Sequence, residues 1–342
     1  MDRQQWQAFL AGEGARWEAD RAHFPETDAD LHLVDLSPLG AVSISGPDSQ
    51  KFLQGQLTCD LVNLPDQHAT LGAHCNPKGR AISAFSALKL SQSELLLRLP
   101  RDLAATAQAA LAKYAVFFKT ELKDLVDTHL WLGLQGREAL IRAEQLLGIE
   151  TITAGQLRTF DCDGERCVAE ALNDRQVALL VPKQCAAKLW QQLAKNADPA
   201  SYDRWLQQQI ENGVPQVHGA TSEAFIPQML NLHLLGGVSF KKGCYTGQEV
   251  VARMQFRGAA KRRLYRARCA SGELPAPGTD IYAEGEQSIG NLVDSCHSEK
   301  GIEMLAVLTI AKVAAGEAFR LADGRKLELQ DLPYDADADP LA

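Results

Sequence analysis

The hydrophobic pattern of this chain changes character after Lys261. Up to that residue, predicted helices and strands are mixed without strict alternation, which indicates an α+β fold. Beyond it, short apolar runs are separated by turn residues, as at Pro275, Pro277-Gly278 and Gly290, and this predicts a small all-β barrel. Because 342 residues exceed one typical core, we expect two or three domains.

The N-terminal pattern predicts an amphipathic helix over residues 1–22. Trp6, Phe9, Leu10 and Trp17 would lie on roughly one side of it. The helix would bury that apolar side against the rest of the protein.

The eight cysteines indicate a reducing compartment. They are scattered, no C-x-x-C pair occurs, and neither a secretory h-region nor an 18-residue apolar run is present. We therefore expect a soluble cytoplasmic protein that does not enter a membrane. The only close pair, Cys162 and Cys167, flanks an Asp-Gly dipeptide that predicts a two-residue hairpin turn. No second pair of ligands accompanies it, so we expect no metal site there.

The segment Gly237–Arg253, GVSFKKGCYTGQEVVAR, places the thiol of Cys244 two residues after Lys242. Thr246 and Glu249 stand in T-x-x-E spacing, which predicts a capping box with Thr246 as the N-cap of a helix. Positive charge from the lysine pair and from the helix start would make this thiol ionise more readily than a free cysteine. A buried cysteine in a Gly-rich turn is the alternative at this stage.

Basic residues are concentrated between Lys241 and Arg268. This stretch holds nine of them and a single acid, Glu249, although the whole chain has a net charge of −8. Such a patch predicts an anionic partner, either the anionic tail of a small ligand, an RNA backbone or an acidic protein surface; a strand edge protected by charge is an alternative. No RNA-recognition motif with stacking aromatics is apparent, so the sequence gives little support for direct RNA binding.

Six stretches of this sequence resemble one protein family. KGCYTGQE at 242–249 resembles the signature of the YgfZ family of folate-binding proteins, which are linked to tRNA modification and iron–sulfur enzymes and are similar to the glycine-cleavage T-protein. The resemblance runs from about residue 30 to 335. The other stretches are ISGPDSQKFLQGQLTCDL (44–61), LGAHCNPKGR (71–80), KYAVFFK (113–119), RWLQQQIENGVP (204–215) and FIPQMLNL (225–232).

The resemblance implies an α+β fold with a duplicated folate-binding core like that of the T-protein and a small C-terminal β-barrel. The expected domains are an N-terminal helical extension (1–30), a folate-binding α+β domain of two interleaved subdomains (31–257), the barrel (258–335) and an acidic tail (336–342).

The resemblance also implies a tetrahydrofolate site. Trp205 matches a family tryptophan that contacts folate, and Glu211 matches the T-protein glutamate that holds the pterin, whose N–H donors suit a carboxylate. By pattern alone, the predicted helix 201–212 is an exposed polar stripe beside a core tryptophan. Leu39 stands where the family has a second folate-contacting tryptophan, which puts folate affinity or pose in doubt. Arg253 is the candidate contact for the anionic tail.

One departure from the T-protein concerns its chemistry. The T-protein uses an aspartate in the strand after an N-x-x-G turn, but here the turn Asn76–Gly79 is followed by Arg80 to Phe85, and no acid occurs between Gln67 and Ser93. A missing proton-handling group typically costs ~10²–10⁴ in rate. We therefore do not expect a classical aminomethyltransferase, and Cys244 is the obvious replacement reactive group, with Lys242 beside it.

The leading hypothesis is a tetrahydrofolate-binding accessory protein of the cytoplasm. It would support iron–sulfur enzymes or the proteins that assemble their clusters, and through them tRNA thiolation. A folate-dependent one-carbon transferase or oxidase, and a scaffold that binds protein partners without catalysis, are the alternatives. Folate turnover that depends on Cys244 would select the transferase or oxidase.

Overall fold

The computed structural model describes residues 1–18, 20–258 and 260–338. The chain divides into two compact units that interleave along the sequence. Unit 1 contains Met1–Phe52, Leu61–Thr70 and Ser86–Trp205. Unit 2 contains Leu53–Asp60, Leu71–Phe85 and the chain from Leu206 onward.

Helices and strands are mixed along the described chain. The helices are α1 (Arg3–Gly12), α2 (Ser49–Gln54), α3 (Arg101–Ala115), α4 (Ala139–Leu147), α5 (Lys183–Leu193), α6 (Tyr202–Glu211), α7 (Gln248–Phe256) and α8 (Ile310–Ala314), with 3-10 turns at Gly219–Thr221 and Pro227–Leu230. The strands are β1 (Arg16–Glu18), β2 (Arg21–His23), β3 (Leu31–Asp35), β4 (Leu39–Ser45), β5 (His68–Cys75), β6 (Ala81–Ser91), β7 (Glu94–Pro100), β8 (Glu121–Asp124), β9 (His129–Gly136), β10 (Leu157–Cys162), β11 (Glu165–Asn173), β12 (Gln176–Pro182), β13 (Asp198–Ala200), β14 (Arg262–Cys269), β15 (Asp280–Tyr282), β16 (Ser288–Ser298), β17 (Gly301–Thr309), β18 (Phe319–Leu321) and β19 (Lys326–Gln330).

A six-stranded sheet with the order β10-β11-β12-β9-β3-β13 lies in unit 1. Its strand β12, QVALLVP, is buried at every position, as a continuous apolar run predicts for a central strand. The hairpin β10–β11 turns at Asp163 and Gly164, whose φ angles are 57° and 81°. Two residues with positive φ form the turn that matches strand twist, so the hairpin predicted at this Asp-Gly pair is confirmed.

A five-stranded sheet has the order β5-β6-β7-β4-β8. Its pair β6–β7 is interrupted by a shift in register between Lys89 and Ser91. Within unit 1, Arg98 of β7 forms an ion pair with Glu170 of β11, which is only 2% exposed. Ser86 donates a further hydrogen bond to Glu170 at 2.6 Å, so this buried carboxylate has charged and neutral donors.

The C-terminal part of unit 2 forms the closed barrel β14-β17-β16-β15-β18-β19. Its interior is filled by apolar side chains from alternate strand positions, among them Ala267, Met304 and Leu308. Gly290 was expected in a turn but lies inside β16, where a Cβ would clash with the carbonyl oxygen of Val307. This glycine therefore permits a close strand approach rather than a turn.

The N-terminal helix is shorter than predicted. It ends at Gly12, and the antiparallel pair β1–β2 follows, so Trp17 lies on a strand and not on the helix. The glycine pair at 12 and 14, with φ of 100° at Gly14, breaks the helical pattern. Trp6 of α1 still packs in the core of unit 1, edge-on to Trp190 at 5.9 Å.

The predicted α+β class with a small C-terminal barrel is confirmed. Residues 339–342 of the expected acidic tail lie outside the described residues. Within the described ranges, every helix is too short or too polar to span a bilayer.

Candidate functional site

Residues 237–247 of unit 2, called here the signature loop, are joined to the segment around Thr58 by backbone and side-chain hydrogen bonds. Thr58 Oγ1 donates to the carbonyl oxygen of Gly237 at 2.6 Å. The amide of Ser239 in turn donates to the carbonyl oxygen of Thr58 at 2.9 Å. The stretches 44–61 and 242–249, noted for the same family resemblance, therefore meet in this unit.

The side chain of Lys242 anchors the signature loop to the backbone of residues 57–59. Its Nζ donates to the carbonyl oxygens of Leu57 and Cys59, both at 2.7 Å, and lies 5.2 Å from the ring centre of Tyr245. Burial lowers the pKa of Lys242 to about 8, although the nearby charges of Cys59 and Asp60 oppose this shift. The ammonium group is thus committed to backbone acceptors and has a structural task in the loop.

Cys244 is exposed, whereas the other seven cysteines are buried. The alternative of a buried thiol in a Gly-rich turn is therefore wrong. Burial raises the pKa of Cys59 and Cys185 to about 11 and that of Cys75 and Cys167 to about 12. Accessibility alone distinguishes Cys244 from these inert thiols.

The predicted capping box is wrong. Helix α7 begins at Gln248, and its N-cap is Gly247 with φ of 84° and no side-chain cap. Thr246 Oγ1 instead donates to Gln56 Oε1 at 3.2 Å. The helix start therefore lies four residues beyond Cys244, and the helix dipole falls off within its first turn.

A close backbone approach explains why glycine stands at this helix start. A Cβ on Gly247 would lie 2.6 Å from the carbonyl oxygen of Asn76 and 3.1 Å from the Cα of Gly79. Asn76 Oδ1 accepts from the amides of Lys78 at 2.9 Å and Arg80 at 3.1 Å, which closes the turn between β5 and β6. The N-x-x-G turn and the signature loop thus pack directly against each other.

Glu211 lies at the last residue of α6, with its side chain 41% exposed. Its Oε1 accepts from Gln207 Nε2 at 2.9 Å and lies 3.7 Å from Arg266 Nη2. Among the described residues, Glu211 Oε2 has no hydrogen-bond partner. One carboxylate oxygen is therefore fixed and the other is available to an N–H donor such as a pterin edge.

Trp205 and Leu39 are core residues of unit 1. They are 1% and 4% exposed. The indole of Trp205 covers Gly133, where a Cβ would lie 2.8 Å from its Cζ3. The ring of Trp205 is therefore closed to solvent, whereas the carboxylate of Glu211 is partly exposed.

Four members of the basic stretch between residues 241 and 268 already have partners. Besides Lys242, Arg263 pairs with Asp337, and Arg266 and Arg268 pair with the buried Glu303. The other five make no ion pair within the described chain. They are Lys241, Arg253, Arg257, Lys261 and Arg262, of which Arg253 lies in α7 and Arg257 directly follows it.

The sequence pattern did not predict the aromatic pair of Phe240 and Phe256. Phe256, at the end of α7, is 61% exposed, and its ring centre lies 5.9 Å from that of Phe240 in an edge-on arrangement. The available signal was the presence of two phenylalanines within a strongly basic stretch. No group of His, Cys, Asp or Glu in the described ranges is arranged to hold a metal ion.

Comparisons with known proteins match most of the chain. A sequence model of the GCVT N-terminal domain matches residues 7–235, and so begins inside the segment expected to lie outside the resemblance. The "tRNA-modifying protein YgfZ" of Klebsiella pneumoniae (strain 342) is 32% identical over 316 residues, covering 89% of this chain and 93% of the relative. Its counterpart in Escherichia coli O157:H7 is 33% identical over 309 residues, with the same coverage.

A solved structure matches over nearly the whole length. The glycine cleavage system aminomethyltransferase T from Bartonella henselae superposes with a TM-score of 0.77 over 97% of each chain, at 17% sequence identity. At this identity the match shows the shared fold and carries no statement about activity.

Proposed function

This chain belongs to the YgfZ family and to the wider family of the GCVT N-terminal domain, and on that basis we propose that it is a tetrahydrofolate-binding accessory protein that supports tRNA modification. The observation that carries the proposal is the match over 89% of the chain to relatives named as tRNA-modifying proteins. The protein would act in the cytoplasm, and its partners would be iron–sulfur enzymes or the proteins that assemble their clusters.

Cys244 would be the reactive group of this function. Its loop presents the thiol to solvent, while Lys242 holds the backbone on either side of Thr58. A thiol that stands on an anchored loop can reach a partner protein without local unfolding. Nucleophilic, redox and transient cluster-binding roles all require such access.

Folate would bind through Glu211. Gln207 and Arg266 orient one oxygen of the carboxylate, which leaves the other to accept from the pterin N–H groups. Trp205 precedes Glu211 by six residues on the same helix and would contribute to folate binding once uncovered. Arg253, exposed on α7, would attract the anionic tail, and Leu39 would contribute apolar packing without a stacking face.

T-protein chemistry is not proposed. The turn at Asn76 and the strand β6 that follows it carry no carboxylate to orient a nucleophilic amine. A fold can keep its ligand pocket while the reaction changes.

Calorimetric titration with tetrahydrofolate tests the folate part of the proposal. The wild-type protein should bind, and Glu211→Gln should weaken binding about tenfold because a charged acceptor becomes a neutral amide. Glu328→Gln, an exposed carboxylate on β19, is the matched control and should bind like the wild type. Absence of binding by the wild type would overturn the folate proposal, and equal binding by Glu211→Gln would remove α6 from the site.

A further inference from the structure

Phe256 places an exposed aromatic ring at the end of α7. It is 61% exposed, and Phe240 supports it edge-on at 5.9 Å. Such an arrangement fixes the ring and leaves its outer side open to a ligand.

Three exposed cations neighbour these two rings along the chain. Arg253 and Arg257, three residues before and one after Phe256, are exposed and one helical turn apart. Lys241 follows Phe240, whose contact with Phe256 brings that part of the loop to the end of α7. None of these three cations makes an ion pair with any residue that the structure describes.

The acids of the region do not cancel this charge. Glu249 is the only acid between residues 241 and 268, and it lies in the first turn of α7, one turn before Arg253. The buried Glu303 is occupied by Arg266 and Arg268 on the barrel. The stretch 241–268 is therefore strongly basic on a chain whose net charge is −8.

We propose that the surface formed by Phe240, Lys241, Arg253, Phe256 and Arg257, called here the Phe256 surface, binds an unpaired segment of RNA. Bases without a pairing partner stack on exposed aromatic rings and on guanidinium planes, while the phosphates pair with Arg and Lys. The Phe256 surface offers all of these groups together.

This inference goes beyond the proposed function, in which folate and iron–sulfur proteins are the partners. It also revises the expectation of an indirect effect on tRNA, which rested on the absence of an RNA-recognition motif with its stacking aromatics. The surface begins at Phe240, four residues before Cys244, so bound RNA would lie beside the exposed thiol. Folate binding is not required for the RNA contact.

Fluorescence anisotropy of a labelled 12-nucleotide oligouridylate tests the proposal directly. The wild-type protein should bind it, and should bind a 12-base-pair RNA duplex more weakly because paired bases cannot stack on the ring. Phe256→Ser should lower the affinity about 5- to 150-fold, the range for losing one stacked base. Phe256→Trp retains an aromatic face and should bind within about threefold of the wild type.

The charge contribution has a separate readout. In the double variant Arg253→Gln/Arg257→Gln, the slope of log affinity against log salt should decrease by about 1.4, as expected for two lost phosphate contacts on a single strand. The matched double variant Arg137→Gln/Lys195→Gln removes two exposed cations from unit 1 and should leave the slope unchanged. Phe117→Ser removes another exposed ring, 83% exposed in unit 1, and should leave the affinity unchanged.

Three results would overturn the proposal. In the first, the wild type would not bind the oligonucleotide at 50 mM salt while an acidic peptide would bind the Phe256 surface. That result would assign this surface to a protein partner. In the second, Phe256→Ser would bind RNA like the wild type. In the third, the duplex would bind as tightly as the single strand, which would leave the ring without a role.

Discussion

At the scale of single residues, burial distinguishes Cys244 from the other seven cysteines and Lys242 from the adjacent Lys241. The thiol of Cys244 is exposed and the remaining thiols are not. Lys242 is bonded to two carbonyl oxygens, whereas the adjacent Lys241 is exposed without an ion pair among the described residues. From the sequence, both ammonium groups counted as favourable charge near the thiol, because a linear pattern does not show which side chain points inward.

Alkylation of the native protein should therefore be selective. We expect iodoacetamide at neutral pH to modify Cys244 first, because reagent cannot reach the buried thiols without local unfolding. Peptide mapping after limited labelling is the measurement, with Cys269 and Cys296 of the barrel as internal references. Labelling of either barrel cysteine as fast as Cys244 would contradict the structure of the loop.

Substitution of the lysine pair should have unequal effects. Lys242→Met leaves the carbonyl oxygens of Leu57 and Cys59 without their donor and should lower the free energy of unfolding by about 1–3 kcal/mol. Lys241→Met, the matched control, should change it by less than about 0.5 kcal/mol because the side chain is exposed. Urea denaturation of both variants measures the difference, and equal effects would argue against the anchoring role of Lys242.

At the scale of elements, the signature loop and the N-x-x-G turn form one packed pair. Gly247 starts α7 in a left-handed conformation because the carbonyl oxygen of Asn76 occupies the space of its absent Cβ. The T-x-x-E spacing predicts a different start, since it reports local propensity and not the approach of Asn76, which is 171 positions earlier in the chain. Gly290 was likewise predicted to lie in a turn, whereas its constraint comes from the neighbouring strand β17.

The two glycines that flank Cys244 should differ sharply in tolerance. Gly247→Ala combines a φ of 84° with a Cβ only 2.6 Å from the Asn76 oxygen, so it should destabilise the protein by more than about 1 kcal/mol. Gly243→Ala meets no atom within 4 Å and has no left-handed φ, so it should be neutral or slightly stabilising. Thermal unfolding of the two variants is the test, and a tolerated Gly247→Ala would contradict the packing described here.

At the scale of the whole molecule, much of the fold follows from the sequence. The change of pattern after Lys261 predicts the α+β part and the barrel, and the Asp163-Gly164 dipeptide predicts its hairpin. The burial of Trp205 and the exposure of Phe256 do not follow, because both depend on which side of a helix meets the core. Apolar residues flag a core only on average.

The buried thiols should make the protein sensitive to alkali. A thiol whose pKa is raised on folding contributes its full stabilisation below the unfolded value of 9.0 and loses it as the pH rises through the folded value. For Cys59 and Cys185, with folded values of about 11, the loss falls between pH 9 and 11, at up to about 1.4 kcal/mol per pH unit for each thiol.

Urea denaturation at pH 7, 9 and 10.5 measures this dependence. The free energy of unfolding should fall between the last two values, and the fall should be shallower in Cys185→Ala, which lacks one of these thiols. Stability that rises over this interval would show that the buried thiols do not control the alkaline limit.

We propose that the support of tRNA modification by this chain depends on the exposed thiol of Cys244. The most direct test of this claim is the amount of thiolated tRNA nucleoside, measured by mass spectrometry, in cells that lack the native gene and carry a variant of this chain. We predict that the wild type and Arg137→Gln, a control outside every proposed site, restore thiolation and that Cys244→Ser, at equal protein abundance, does not. Full restoration by Cys244→Ser would contradict the claim.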